Sequence, residues 1–378
     1  MDRRAFLAAA AALPFAGPVR AAQPPRTRWD IGSSTGFDAL AFLGPLSGKP
    51  LYAERYRAEL DAFAPRSTPV LTAALGRLQA RADAEGKLLW PTLANVLSYG
   101  PAESIDELLA SLSDLEGRIL PAYRASSHWD EASWRFVAGG RADVAAVLGE
   151  LRAADFPSFR AEFVGDRLSI QRPRLAAGLA GYDVIAEQER LIGRRLDPVI
   201  GVVLLWFSKP HGVSVGGQRS LSHFDYPLDT VVRVAAHEML HPPFPMDGPA
   251  ATAALKVLAA DPLMVRVLKE HDPGFGYNSM DGLLNEDTVQ ALDQIVSERL
   301  GVARDPAERW RTADDGMHVL AAALYGMLKA EGYDRTGGDI EAWMEAAARG
   351  GKLAPERIAR FAGQVTATPP DRLWPRRA

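Results

Sequence analysis

Cysteine is absent from the 378-residue chain. That excludes a disulfide-framed miniprotein, and it removes a lipid-anchored cysteine as a route to the membrane. A surplus of one charge sign is also missing: 43 basic side chains face 47 acidic ones, a net charge of −4. Nucleic acid is therefore not an expected partner. Beyond the N-terminal segment no run reaches 18 uncharged apolar residues, so no stable membrane insertion is expected after processing. Low complexity is lacking too. With 47% hydrophobic and 24% charged residues, the chain can bury a core as one large domain or two ordinary ones. Glycine (33) and proline (27) are plentiful, which predicts many turns and broken elements.

The N-terminus reads as an address. Arg3 and Arg4 precede an apolar run, Ala5 to Ala16, that is too short to cross a bilayer. Val19-Arg20-Ala21 then offers small side chains at the positions a signal peptidase reads, so residues 1–21 are expected to be a signal peptide. Arg3-Arg4 followed by Ala5-Phe6-Leu7 resembles the twin-arginine export signal. The resemblance implies the twin-arginine machinery as a partner, export in the folded state, and a periplasmic or secreted mature protein.

Residues 22–50 are rich in Pro, Gly and Ser and read as an irregular arm. From 51 to 192 the pattern is helical. Thr68-Pro69 offers an N-cap and first-turn pair, and Ser104-Ile105-Asp106-Glu107 fits a capping box. Further runs cover 130–138, 141–154 and 173–192, with joints at Pro157 and Pro173, and Trp129 and Trp134 are expected in packing. The character changes at Pro198. Val199 to Phe207 reads as a buried strand, and the glycine-rich stretch Lys209 to Gln218 as a hairpin or edge strand. A helix from about Leu228 to His241 follows, then helical patterns at 249–259, 262–270, 283–299, 314–330, 339–348 and 354–364. Many helices against few strands predict an α+β, predominantly helical fold, with a helical N-terminal region over 22–195 and a second unit over 196–378.

The sharpest signal is His237-Glu238-Met239-Leu240-His241. Residues four apart share one face of a helix, so both imidazoles can reach one Zn²⁺. Glu238 stands one position round from His237. It can serve as a general base toward water without being a ligand. Val231, Val232, Val234, Ala235 and Ala236 make the preceding turns apolar, and two histidines and a glutamate are costly there unless they bind something. Pro242 and Pro243 should stop the helix at or near His241.

His237-Glu238-x-x-His241 resembles the zincin metallopeptidases, and most of all their gluzincin, thermolysin-like group. The resemblance implies a small twisted sheet backed by helices, with the edge strand (here Lys209 to Gln218) pairing with extended peptide. The third ligand has two candidates. Glu286, within Gly282-Leu283-Leu284-Asn285-Glu286-Asp287, resembles the gluzincin second motif, an Asn-Glu pair near the start of the following helix. Val289, Leu292, Ile295 and Val296 define that helix's inner face, to which Glu286 can also point. Asp247, six residues after His241, matches the metzincin spacing, although Phe244 stands where that group turns on glycine.

An oxyanion donor is expected beside the metal, and Tyr277 and His318 are the leading candidates, ahead of Arg299 and Arg233. Asp287 is a candidate to orient a ligating histidine. His271 is expected to satisfy a helix dipole, His211 and His223 to border the cleft, and His128 has no motif context. The resemblance implies an exported zinc-dependent peptidase acting on a peptide or protein substrate. Its rivals are a zincin-fold protein that binds metal without proteolysis and a zinc hydrolase of a non-peptide amide.

Overall fold

The computed structural model describes residues 25–375, so the expected signal segment 1–21 lies outside the described residues. Helices predominate around a mixed four-stranded sheet, in agreement with the α+β expectation. The strands are β1 (Arg28–Ser33), β2 (Val199–Leu205), β3 (Val213–Val215) and β4 (Arg219–His223), in the order β1-β2-β4-β3. β2 runs parallel to both β1 and β4, and β3 closes the edge antiparallel to β4.

Two expectations change here. The described part of the expected arm, residues 25–50, is ordered: β1 and the helix Thr35–Leu46 lie within it. Gly32 and Pro45, which read locally as breakers, are accommodated because β1 gains six paired positions on β2 and the helix is buried along most of its length. The expected division near 195 also falls inside one sheet, with β1 on one side of it and β2 on the other.

The cores separate by sheet face instead. Side chains alternate along a strand, so Ile200, Val202 and Leu204 enter one apolar cluster while Val203 and Leu205 enter another. The first holds the helices from Val164 to Ile192 and those from Val231 onward. The second holds the helices from Phe37 to Phe159. The sheet is thus a shared wall, with each fully buried aliphatic side chain stabilising by about 1.5–3 kcal/mol.

Local signals are largely realised. Thr68 caps the helix Pro69–Ala84 by accepting from Leu71 N–H, and Ser104 caps Ile105–Ser113 by accepting from Glu107 N–H. The helices at Pro249–Leu258, Pro262–Glu270, Ile340–Arg349 and Pro355–Thr366 follow the sequence patterns closely, whereas Met280–Leu300 starts before its expected range and Val319–Ala330 starts after its own, a short 3-10 turn at Ala313–Gly316 preceding it. Pro173 does not act as a joint. It lies inside the helix Arg167–Leu179, and the break comes instead between Leu179 and Val184. The two runs at 130–138 and 141–154 join into one helix, Glu131–Ala153.

Candidate metal centre

The motif helix spans Leu228–Glu238, with Val231, Val232, Ala235 and Ala236 buried on its inner face. Beyond Glu238 the turn tightens: Leu240 N–H donates to His237 O (3.0 Å) and His241 N–H to Glu238 O (3.4 Å). Pro242 and Pro243 carry no N–H to continue the ladder. The fully buried Gln188 donates its amide N–H to the carbonyl of Ala236 (3.0 Å). A side chain from the first half of the chain therefore fixes the helix end that carries His237.

His237 and His241 present their Nε2 atoms to each other at 3.1 Å. Glu286 places one carboxylate oxygen 3.5 Å from each of them. These three ligand atoms form a group that could hold a metal ion. The helix bearing Glu286 starts earlier than its apolar pattern suggests, at Met280, capped by Ser279. Glu286, Gln290 and Asp293 then lie on one helix face, at i, i+4 and i+7.

The other ring nitrogens explain why a cation fits. His237 Nδ1–H donates to Asp293 (2.6 Å), and His241 Nδ1–H donates to the Asn285 side-chain oxygen (3.1 Å). With both Nδ1 atoms committed as donors, both Nε2 atoms are left as acceptors facing each other and a carboxylate. Facing lone pairs at that separation need a proton or a cation between them. Spacings of 3.1 and 3.5 Å are those of ligand atoms each about 2.0–2.1 Å from one zinc.

A further layer holds these partners in turn. Arg309 grips both oxygens of Asp293, one contact at 2.9 Å, and donates to Gln294 (3.0 Å). Gln290 donates to Glu286 (2.9 Å) and accepts from Trp310 Nε1–H (3.0 Å). Gln290, Asp293 and Arg309 were not singled out from sequence, and Asn285 was named only as the partner of Glu286 in the Asn-Glu pair. Asp287 does not orient a metal histidine. It accepts from His318 Nδ1–H (2.6 Å) and from Ala321 N–H (3.1 Å).

Charge in the cluster follows its surroundings. Burial disfavours charge on His237, but Glu286 and Asp293 outweigh it and raise its pKa well above the usual range. Burial and the neighbouring His237 push His241 down to about 4. Burial also opposes ionisation of Glu286, yet His237, His241 and His318 hold it well below the ordinary carboxylate range. The pair of imidazoles thus retains a proton near neutral pH, which a divalent cation must displace. Metal affinity should accordingly fall as pH falls, by about tenfold per pH unit for each proton released. Zinc titration against a competing chelator from about pH 8 to about pH 6 checks this, and a flat profile would contradict it.

Glu238 lines the same space as the ligands. Burial, reinforced by Glu286 and Asp293 and opposed by His237, pushes its pKa up to about 6. That value suits a group that must accept and return protons near neutrality.

Tyr277 is half-buried at the cavity wall, in a left-handed backbone conformation (φ 53°). Burial together with Glu286, Asp314 and Glu238 raises its pKa well above the ordinary value, so it stays a hydrogen-bond donor. His271 pins its loop, with ring nitrogens 3.1 Å from the carbonyls of Val267 and Gly276. His318 sits behind Tyr277, ring to ring at 5.5 Å, and is fully buried. Its Nε2–H donates to Asp314 (2.8 Å), while Nδ1–H donates to Asp287. In this arrangement neither nitrogen is free to meet an oxyanion, which corrects the direct role expected for it.

Asp247 is exposed and lies outside the cluster, while the neighbouring Phe244 is fully buried in the core. Arg299 pairs with Glu187 at the far end of its helix (3.4 Å). His223 is held by Asp225 (2.5 Å), away from the ligands.

A cavity of about 690 Å³ opens over the site. His237, Glu238, His241 and Glu286 form one wall, and His128, Trp129 and Asn95 from the first half of the chain form the other. Trp129, expected in packing, borders this space, and so does His128, which carried no sequence signal. Tyr99 OH lies 2.7 Å from His128 Nδ1. His211 also borders it and contacts Tyr52 OH at 2.7 Å. β3 approaches the cavity, but its outer edge is partly taken: Asn95 donates to Ser214 O (3.0 Å), and Ser98 accepts from Gly216 N–H (2.8 Å). No family model matches the chain, and no curated protein or solved structure matches it.

Proposed function

We propose that the chain is an exported zinc metallopeptidase of gluzincin type, with His237, His241 and Glu286 as ligands and Glu238 as general base. The observation that carries this is the convergence of two imidazole acceptors and a carboxylate, each held from behind by a hydrogen-bond partner, beside a half-buried carboxylate with a raised pKa. Nitrogen and oxygen donors without thiolate, three in number, suit a catalytic zinc site that keeps a position open.

A bound zinc ion supplies Lewis acidity toward the scissile carbonyl and lowers the pKa of its water. The chain's own residues do the rest. Glu238 takes the proton from water and returns it to the leaving amine. Tyr277, kept protonated by its surroundings, donates to the oxygen on which charge develops. His318 acts as a positioning residue, holding the Tyr277 ring and joining Asp287 to Asp314. The 690 Å³ cavity lies between the two layers of helices and has room for an extended segment of peptide. Export through the twin-arginine route, and hence a periplasmic or secreted location, is proposed on Arg3-Arg4 and the apolar run that follows.

Elemental analysis of the purified chain and two variants tests the ligand set. About one zinc per chain is expected, lost in Glu286→Ala and retained in Asp247→Ala. Retention of zinc by Glu286→Ala, or its absence from the native chain purified without chelators and offered zinc, would overturn the proposal.

A further inference from the structure

A second, smaller cavity of about 360 Å³ opens on the other side of Glu238. It shares His237, Glu238 and Glu286 with the metal centre, and Arg233, Arg304 and Arg309 also line it. Three guanidinium groups beside a peptide-cleaving centre call for an account of what each one binds.

Arg309 is committed, gripping Asp293 and Gln294 in the interior. Arg233 is partly committed. It donates to Asp229, to Val302 O and to Thr230 Oγ1 at 2.8 Å each, but Asp229 is half exposed and its attraction is weakened by water. Arg304 has no side-chain acceptor among the described residues. Its own backbone carbonyl, by contrast, is held by Gln294 (2.9 Å). The acidic groups lining the cavity are engaged elsewhere: Asp293 with Arg309 and His237, Asp314 with His318, Glu286 with the two histidines. Arg304 is itself exposed where it lines this cavity, with the charges of Arg309 and Arg233 nearby. A guanidinium that lines a cavity without a side-chain acceptor is open to an incoming anion.

We propose that this cavity is a carboxylate-binding subsite, in which Arg304, supported by Arg233, holds a carboxylate of the substrate next to the cleaved bond. The assignment rests on the metallopeptidase reading and narrows its substrates to peptides with an acidic side chain or a free terminal carboxylate at that position. Both sources offer the same planar pair of oxygens to a guanidinium fork.

Matched blocked peptides test it on the zinc-loaded chain. One pair carries glutamate or glutamine before the cleaved bond and another carries them after it. A third pair ends one residue beyond the bond in a free carboxylate or an amide. In at least one pair, kcat/KM should favour the acid by about tenfold or more, and the pair that does so identifies the source. Arg304→Gln should erase that ratio and Arg304→Glu should invert it. Calorimetric titration of zinc-loaded Glu238→Gln protein with the same peptides should show the same ratio in affinity, weakening as salt is raised.

Equal values for acid and neutral peptides, or a preference untouched by Arg304→Glu, would overturn the subsite while leaving the peptidase intact. If no peptide is cleaved, the metallopeptidase reading fails by itself. The calorimetric comparison between native and Arg304→Glu protein then still decides whether the cavity binds carboxylate.

Discussion

Glu238→Gln is expected to lower kcat by about 10²- to 10⁴-fold, the usual contribution of a positioned acid–base group, while zinc content stays at the native level. Glutamine preserves the volume of the side chain and its place at the end of the motif helix, but it cannot take a proton. The metal ligands are untouched, since the carboxylates and imidazoles of the cluster come from His237, His241 and Glu286. The measurements are turnover of a quenched fluorescent peptide and elemental analysis on the same preparation. A kcat within tenfold of native, with zinc retained, would remove Glu238 from the chemistry. The pH profile adds a second check. With the Glu238 pKa pushed up to about 6, the ionised base is lost as pH falls through that value, so activity should decline on the acid side there. An acid limb set by the general base should be absent from whatever residual rate Glu238→Gln retains.

Asp293→Ala carries the largest expected cost in stability. Asp293 is buried and binds both His237 and Arg309, itself buried. Removing it strands a guanidinium in the interior, and breaking a buried ion pair from one side typically costs about 3–5 kcal/mol. It also frees His237 Nδ1 to rotate or change tautomer, and loss of such a partner typically costs about 10- to 100-fold in metal affinity. Urea unfolding and zinc titration measure the two effects. The double variant Asp293→Ala, Arg309→Met should recover part of the stability, because no unpaired charge remains, but not the zinc affinity, because His237 still lacks its acceptor. Recovery of both would place the role of Asp293 in folding alone, and recovery of neither would point to a packing defect.

How much of the site was legible follows from how local each signal is. The histidine motif is a spacing of four on one helix, so it can be read without knowing any neighbour. Glu286 could be nominated because it precedes an apolar-periodic run. Its position in the second turn depended on Ser279 capping an earlier start, which the apolar pattern alone understates. Asp293 was hidden because a polar side chain in a helix reads as solvated until something is packed against it. Asp287 was mistaken for the orienting group because adjacency in sequence is a poor guide on a helix. One residue is a rotation of about 100°, enough to send Asp287 to His318, while Asp293, seven positions after Glu286, meets His237.

His318 shows the same limit from the other side. A histidine near a helix start is a fair candidate for a donor, yet its two neighbouring carboxylates come from a helix 31 residues earlier and a turn four residues earlier. Only their convergence decides that both its nitrogens are occupied. His128 and Trp129 illustrate the remaining gap, since nothing in their surroundings distinguishes a cavity wall from a packed interior.

By itself the sequence determined the helical character, the caps, the strand at Val199–Leu205, the helix that stops short of a double proline and the histidine pair at its end. All of these are set by short-range periodicity and backbone sterics. Tertiary structure alone decided that β1 belongs to the sheet, that one sheet serves two cores, and that Glu286 rather than Asp247 completes the cluster. Those outcomes depend on hydrogen bonds and burial between segments tens to hundreds of residues apart. Such contacts form only once the chain closes on itself, and no local pattern encodes which distant partner will be there.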